Sequence, residues 1–234
     1  VQAGAATVAA SAVAPVAIGR SSAAPAAQSD PTQLVVLDDI QGQNWLYYDP
    51  ARIYEINPVA GFQLCYECLY HIPDGANLGD IQPLLAADFP SVSEDGLTAT
   101  IALRPDVTFH NSGNPVTAAD WVWSWNRLKN LQGNPSFLFT DFFESVSAVD
   151  DATLEITLLS PNAALVAVLT AVPFSVSDSG VAQENGGVAE EGADQSDTLT
   201  DWLLEGNSIG TGPYQLAQWD IASEIIIERN PNYW

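Results

Sequence analysis

The chain of 234 residues carries 29 acidic and only six basic side chains, a formal net charge of −23. That excess excludes nucleic acid and anionic lipid as partners, and it suits either a high-salt habitat or a secreted protein with acidic loops. The hydrophobic fraction of 47% is enough for a core, the length allows one large or two small domains, and no run is long and apolar enough to span a membrane.

Residues 1–31 hold 12 alanines among Ser, Pro and Gly and no aromatic residue. They read as a low-complexity leader or tether, and Ala24-Pro25-Ala26-Ala27-Gln28 resembles a processing region of a secretion signal. Leu34 to Leu37 is a short apolar strand, followed by an aromatic loop from Trp45 to Pro50. Val59, Phe62, Leu64, Tyr66 and Leu69 recur at helical spacing, which predicts a helix over 59–70. Leu97 to Leu103 alternates as a half-buried strand does, with Val107-Thr108-Phe109 expected as its partner across a Pro-Asp turn.

Thr117 begins a helix. Thr117-x-x-Asp120 is a capping box, and Trp121, Val122, Trp125 and Leu128 form the apolar face. Of its three tryptophans, Trp121 and Trp125 read as packing residues, whereas Trp123 is expected to be half exposed. Asn134-Pro135-Ser136-Phe137-Leu138-Phe139 is a loop before a strand. Phe143–Val149 and Thr153–Leu158 make a hairpin across Asp150-Asp151, and Pro161–Val172 is an apolar helix. Residues 177–208 are rich in Gly and acids, with one amphipathic piece at 199–204. Gly210-Thr211-Gly212-Pro213 is a tight turn whose glycines permit positive φ. Strands at Tyr214–Leu216 and Glu224–Glu228 follow it. The order is an α/β (α+β mixed) one that places the first and last strands in one sheet.

Few residues point to chemistry. Cys65-Tyr66-Glu67-Cys68 with His71 would present three metal ligands if all lay on one helix, but structural zinc wants four and there is no second C-x-x-C. The cluster reads first as buried small apolar residues or a local disulfide; a metal- or redox-active centre at Cys65, Cys68 and His71 is the alternative reading. There is no G-x-S-x-G, no P-loop and no G-x-G-x-x-G after a strand. No catalytic residues, no metal site and no cofactor are therefore expected, and the chain is not expected to be an enzyme.

Several blocks resemble, in order, those of the family 5 extracellular solute-binding proteins, the dipeptide, oligopeptide and nickel receptors of ABC importers. They are Asp49-Pro50, Leu85-Ala86-Ala87 with Ser93 to Thr98, Leu103 to His110, Pro115 to Ser124, Val149 to Leu154, Ile209 to Tyr214, and Asn230 to Trp234. The resemblance covers about residues 34 to 234. It implies a periplasmic-binding-protein-like type II fold, incomplete in this chain. Residues 32–58 and 209–234 would belong to the first lobe and 59–208 to an inserted smaller α/β domain, with the C-terminal lobe absent.

By position, the resemblance places Tyr54, Phe137, Leu138, Phe139, Phe174 and Ser175 at the border of the ligand cleft. It makes Gly210, Thr211, Gly212 and Pro213 the crossing between domains, where a hinge would sit. The function implied is that of an extracytoplasmic (periplasmic or cell-surface) component of an ABC importer. It would bind peptides or another small solute in a hinged cleft and partner the permease subunits, meeting the membrane only through an upstream lipid anchor.

Overall fold

The computed structural model describes the backbone of Gln33 and Leu34 and residues 47–54, 56–73, 75–77 and 79–234, without the side chains of 56–60. The leader assigned to 1–31, the rest of the first strand and the start of the aromatic loop lie outside the described residues.

The chain runs β1 (Gln33–Leu34), α1 (Ile56–Cys65), β2 (Tyr70–His71), β3 (Gln82–Pro83), β4 (Ser91–Val92), β5 (Thr98–Ala102) and α2 (Ala118–Asn130). It continues through α3 (Phe137–Thr140), β6 (Phe143–Asp150), β7 (Thr153–Leu158), α4 (Leu165–Val168), α5 (Ser179–Glu184), α6 (Ala193–Ser196), α7 (Leu199–Leu203), β8 (Tyr214–Asp220) and β9 (Glu224–Arg229). All the described strand pairs are antiparallel. One sheet is ordered β4-β5-β7-β6, a second β1-β9-β8, and β2 pairs with β3. The first and last described strands thus share a sheet, as the sequence order predicts.

Alternation builds the four-stranded sheet. Ala99 and Ile101 on β5 face Ile156 and Leu154 on β7, and all four are buried. Helix α2 covers that face with Trp121, Trp125 and Leu128. Its start is fixed as the sequence predicts: the Thr117 N–H donates to Asp120 Oδ2 at 2.9 Å in a reciprocal capping box. Asp120 also takes the N–H and hydroxyl of Ser179, which ties α5 to the same turn.

A second apolar cluster gathers Tyr48, Phe62, Cys65, Tyr66, Leu199, Leu203, Leu216 and Ile227. Trp123 belongs to this cluster and is only 9% exposed, not half exposed. Residues two positions apart on a helix point about 200° apart, so α2 sends Trp121 and Trp125 into one core and Trp123 into the other. The helix is the wall between them, and no face of it is left for solvent where Trp123 lies.

Three local expectations are corrected. The helix over 59–70 ends at Cys65, because the next residues turn their backbone to another segment: Leu69 O accepts from Leu84 and Ala86, and Cys68 O accepts from Leu85. Val107–Phe109 is not the partner of β5, which pairs with β4 and β7; instead Val107 and Phe109 bond Val116 and Asn114 around a small loop. The helix at 161–172 shrinks to Leu165–Val168. An Asn162 side chain caps a turn before it, and Pro173, which has no N–H, begins a 3₁₀ turn after it.

Candidate functional site

A buried ion cluster sets the position of the segment that carries Tyr54. Arg127, on α2, grips Asp49 through Nη1 and Nη2 at 2.8 and 2.6 Å and holds Asp197 at 2.8 Å through Nε and Nη2. Thr200 donates to Asp49 at 2.7 Å, and the Ala51 N–H closes the turn at 3.0 Å. Burial alone would push the Asp49 carboxyl up; the charge and hydrogen bonds of Arg127, with Thr200 and Arg52, outweigh it and hold the group below its ordinary value. The same carboxylates raise Arg127 against its own desolvation.

Held this way, Tyr54 reaches Phe137 at the start of α3. The rings meet edge to face with centroids 5.3 Å apart, and both stay in solvent, Tyr54 at 54% and Phe137 at 38% exposure. Two residues singled out separately in the sequence therefore form one surface feature. Leu138 is half-buried against the first core. Phe139 and Phe174 have no exposed surface. Phe139 packs on Phe143 at 5.5 Å, and Phe174 lies between Trp125 at 5.2 Å and Phe143 at 5.3 Å. Phe174 also accepts the indole N–H of Trp125 on its carbonyl at 3.1 Å. Ser175 is buried, and among the described residues its hydroxyl has no hydrogen-bond partner; the same is true of Ser136, beside Phe137. The loop expected at 134–139 is a 3₁₀ turn running into a short helix, which projects Phe137 outward and Phe139 inward.

The stretch at 210–213 is pinned. Gly212 N–H donates to Cys65 O at 3.0 Å, Thr211 Oγ1 to Glu67 at 2.8 Å, and His110 N–H to Gly210 O at 2.8 Å. Asn230 donates to Gly212 O and Pro213 O. Neither glycine has positive φ. They are required instead because a Cβ on Gly210 would collide with the Cys65 carbonyl, and one on Gly212 with that of Leu64. His110 lies beneath with Nε2 2.9 Å from Gly212 O and Nδ1 2.9 Å from Ser208 Oγ. A carbonyl only accepts, so Nε2 carries the proton and Nδ1 accepts from Ser208. Burial lowers the pKa of His110 to about 4, against the opposing pull of Gly212 O.

Sequence reasoning did not find Glu67. Its carboxylate is buried and accepts hydrogen bonds from Thr211, from Tyr233 OH at 2.8 Å and from Trp234 Nε1 at 3.1 Å. Desolvation raises its pKa, outweighing those three donors and the nearby Arg104. The signal was present only as a lone acid in an apolar run, between Tyr66 and Cys68.

Cys65, Cys68 and His71 do not share a helix face. Cys65 ends α1, Cys68 lies in the extended stretch after it, and His71 ends β2. Both thiols are free and buried. Cys68 Sγ donates to Ala171 O at 3.3 Å, and burial raises Cys65 to about 12 and Cys68 further still. Such thiols are poor nucleophiles. Among the described residues, no group of three or more His, Cys, Asp or Glu is placed to hold a metal ion. Also among them, no helix is long and apolar enough to cross a membrane.

Residues 80–234 match the family described as bacterial extracellular solute-binding proteins, family 5 Middle. Among curated proteins, the chain is similar to the dipeptide-binding protein DppE of Bacillus subtilis, with 26% identity over 200 residues, 76% of this chain and 34% of the relative. It is also similar to the dipeptide-binding protein of Escherichia coli, with 32% identity over 162 residues, 61% of this chain and 28% of the relative. The chain thus spans about a third of the length of these relatives or less.

Among solved structures, it is similar to the ABC transporter-associated periplasmic binding protein DppA from Helicobacter pylori in complex with the peptide STSA, at TM-score 0.63 and 25% identity over 80% of this chain and 37% of that one. Haemophilus influenzae OppA, in complex with RPPGFSPFR, shares the fold at TM-score 0.67 and 24% identity, over 80% of this chain and 37% of that one. The mixed α/β architecture agrees with these neighbours as part of a larger fold. With two thirds of its length matched and its blocks in order, the chain belongs to the family 5 bacterial extracellular solute-binding proteins.

Proposed function

We propose that this chain supplies one wall of the ligand cleft of an extracytoplasmic receptor, which binds peptides or a related small solute and delivers them to the permease of an ABC importer. The observation that carries this reading is the Tyr54–Phe137 pair: two large rings held in contact by buried structure, yet left open to water. Rings bury large areas when covered, and at about 25 cal/mol per Å² covering the exposed part of each is worth on the order of 1–3 kcal/mol. A lobe closing over a bound peptide would cover them. Leu138 extends the apolar wall, while Phe139 and Phe174 back it from the core and Ser175 is buried next to Phe174. The peptide-binding relatives support the choice of ligand.

In this reading 32–58 and 209–234 are first-lobe segments and 59–208 is an inserted domain; Leu216 and Ile227 pack with Tyr48, in a cluster that also takes in Phe62, Trp123 and Leu199 of the inserted stretch. In this reading, Gly210 to Pro213 is a fixed pivot, held by its hydrogen bonds, and closure moves whole lobes around it. The role is binding rather than catalysis, and the site of action is the periplasm or cell surface.

The test is Tyr54→Ala and Phe137→Ala in the polypeptide at its full natural length, titrated calorimetrically with a pool of short peptides. Each variant is expected to weaken binding about tenfold or more, with little change in melting temperature, since both rings are exposed. Wild-type affinity in both variants would overturn the reading.

A further inference from the structure

The stretch 65–69 is where four separated passages of the chain meet. Gly212 N–H donates to Cys65 O, Val176 N–H to Glu67 O, Leu85 N–H to Cys68 O, and the Glu67 side chain reaches Tyr233 and Trp234. Trp234 is gripped twice. Its indole N–H donates to Glu67 Oε2, and its ring lies 4.8 Å from the guanidinium of Arg104, which is itself fixed by a 2.6 Å bond from Nε to Leu84 O. Tyr233 stacks obliquely on Trp234 at 5.1 Å and donates to Glu67 Oε1. Yet these two rings remain 41% and 36% exposed. Both rings are therefore only partly buried, and the polar part of their hold centres on one buried carboxylate.

We infer that Glu67, with Arg104, is a clasp that fixes the direction of the chain at Tyr233–Trp234 and thereby the geometry with which the lobes close on a ligand. Glu67 is a positioning residue in this account and touches no ligand. The inference rests on the two-lobed receptor reading for its effect on binding, but not for the clasp itself.

The chemistry makes a sharp distinction between two substitutions. Glu67→Gln keeps one carbonyl oxygen for Thr211 and Trp234, and the Tyr233 hydroxyl can reverse to accept from the new amide. Glu67→Ala leaves the Trp234 N–H, which can only donate, without its acceptor. Trp234→Phe removes that donor alone and leaves a ring over Arg104; because Trp234 is partly exposed, this variant tests the clasp even if Glu67→Ala fails to fold.

The experiment is hydrogen exchange of residues 230–234, together with association and dissociation rates for a short-peptide pool, in the full-length polypeptide. Loss of hydrogen bonds to a charged group is expected to speed exchange at 230–234 about tenfold or more in Glu67→Ala and by less in Trp234→Phe, and to speed peptide release, with Glu67→Gln close to wild type. Unchanged exchange in both Glu67→Ala and Trp234→Phe would overturn the clasp. So would a Glu67→Gln variant as loose as Glu67→Ala. If exchange responds as expected while wild type binds no peptide, the clasp stands and the receptor reading falls. If wild type binds and exchange responds, but release rates do not change, the link from clasp to closure is overturned.

Discussion

Arg127 and Asp49 are joined by two hydrogen bonds of 2.8 and 2.6 Å across 78 residues of sequence, and neither side chain sees solvent to any extent that matters. This pair joins the segment carrying Tyr54 to the helix that separates the two cores. A buried ion pair is weak evidence for net stabilisation, but removing one partner strands the other. Asp49→Ala is therefore expected to cost about 3–5 kcal/mol in denaturant unfolding and to release Tyr54 from Phe137. A loss under about 1 kcal/mol would show that water or Asp197 takes over.

The pH dependence has a defined sign at His110. Its folded pKa lies near 4, below the ordinary 6.5, so the unfolded chain binds a proton that the folded chain refuses. Its contribution is fully present above pH 6.5 and is lost as pH falls towards 4, by about 3 kcal/mol in total. Glu67, raised by burial, has the opposite slope above the ordinary carboxylate range, so the informative quantity is the difference between wild type and His110→Gln. That difference should vary with pH between 6.5 and 4 and be flat above 7; a flat difference throughout would refute the buried neutral imidazole.

Glycine at 210 is a matter of space rather than of φ. Gly210→Ala drives a methyl group into the Cys65 carbonyl, whereas Gly79→Ala meets nothing within 4 Å. Loss of several kcal/mol or of soluble protein is expected for the first, and a change within about 0.5 kcal/mol for the second. Two variants of equal stability would contradict the close crossing over α1.

Salt should stabilise the protein. Arg127 and Arg52 face Asp49 and Asp197, Arg104 lies over Trp234, and Lys129 lies over Phe139. With four of only six bases so engaged, few are left to offset the 29 acids. Screening by added NaCl relieves their mutual repulsion, and the melting temperature should rise between low and molar salt. A fall would show that ion pairs, rather than repulsion, dominate the surface.

Features governed by near neighbours were legible in the sequence. The Thr117–Asp120 cap, the hairpin of β6 and β7 and the last two strands follow from spacing, turn residues and alternation. What failed depended on distant partners. Tyr66 to Leu69 continues a helical pattern, but the carbonyls of Cys68 and Leu69 are claimed by Leu84 to Ala86 and that of Glu67 by Val176, so the stretch leaves the helix. Trp123 sits on the polar side of α2 by spacing alone, and only the second core, assembled from residues far apart in sequence such as Phe62, Leu199 and Leu216, buries it. At the candidate site, Tyr54 and Phe137 were each visible as aromatics in irregular segments, but their contact was not. It depends on Arg127, Asp49 and Asp197, which look like ordinary surface charges in the sequence.

The central claim is that the polypeptide grips a peptide or similar small solute, and native mass spectrometry of the full-length protein, purified without denaturation and then offered a short-peptide pool, tests it most directly. The account predicts adducts of peptide mass that are released on denaturation and diminished in Tyr54→Ala. A clean unliganded mass before and after the pool is added would contradict it.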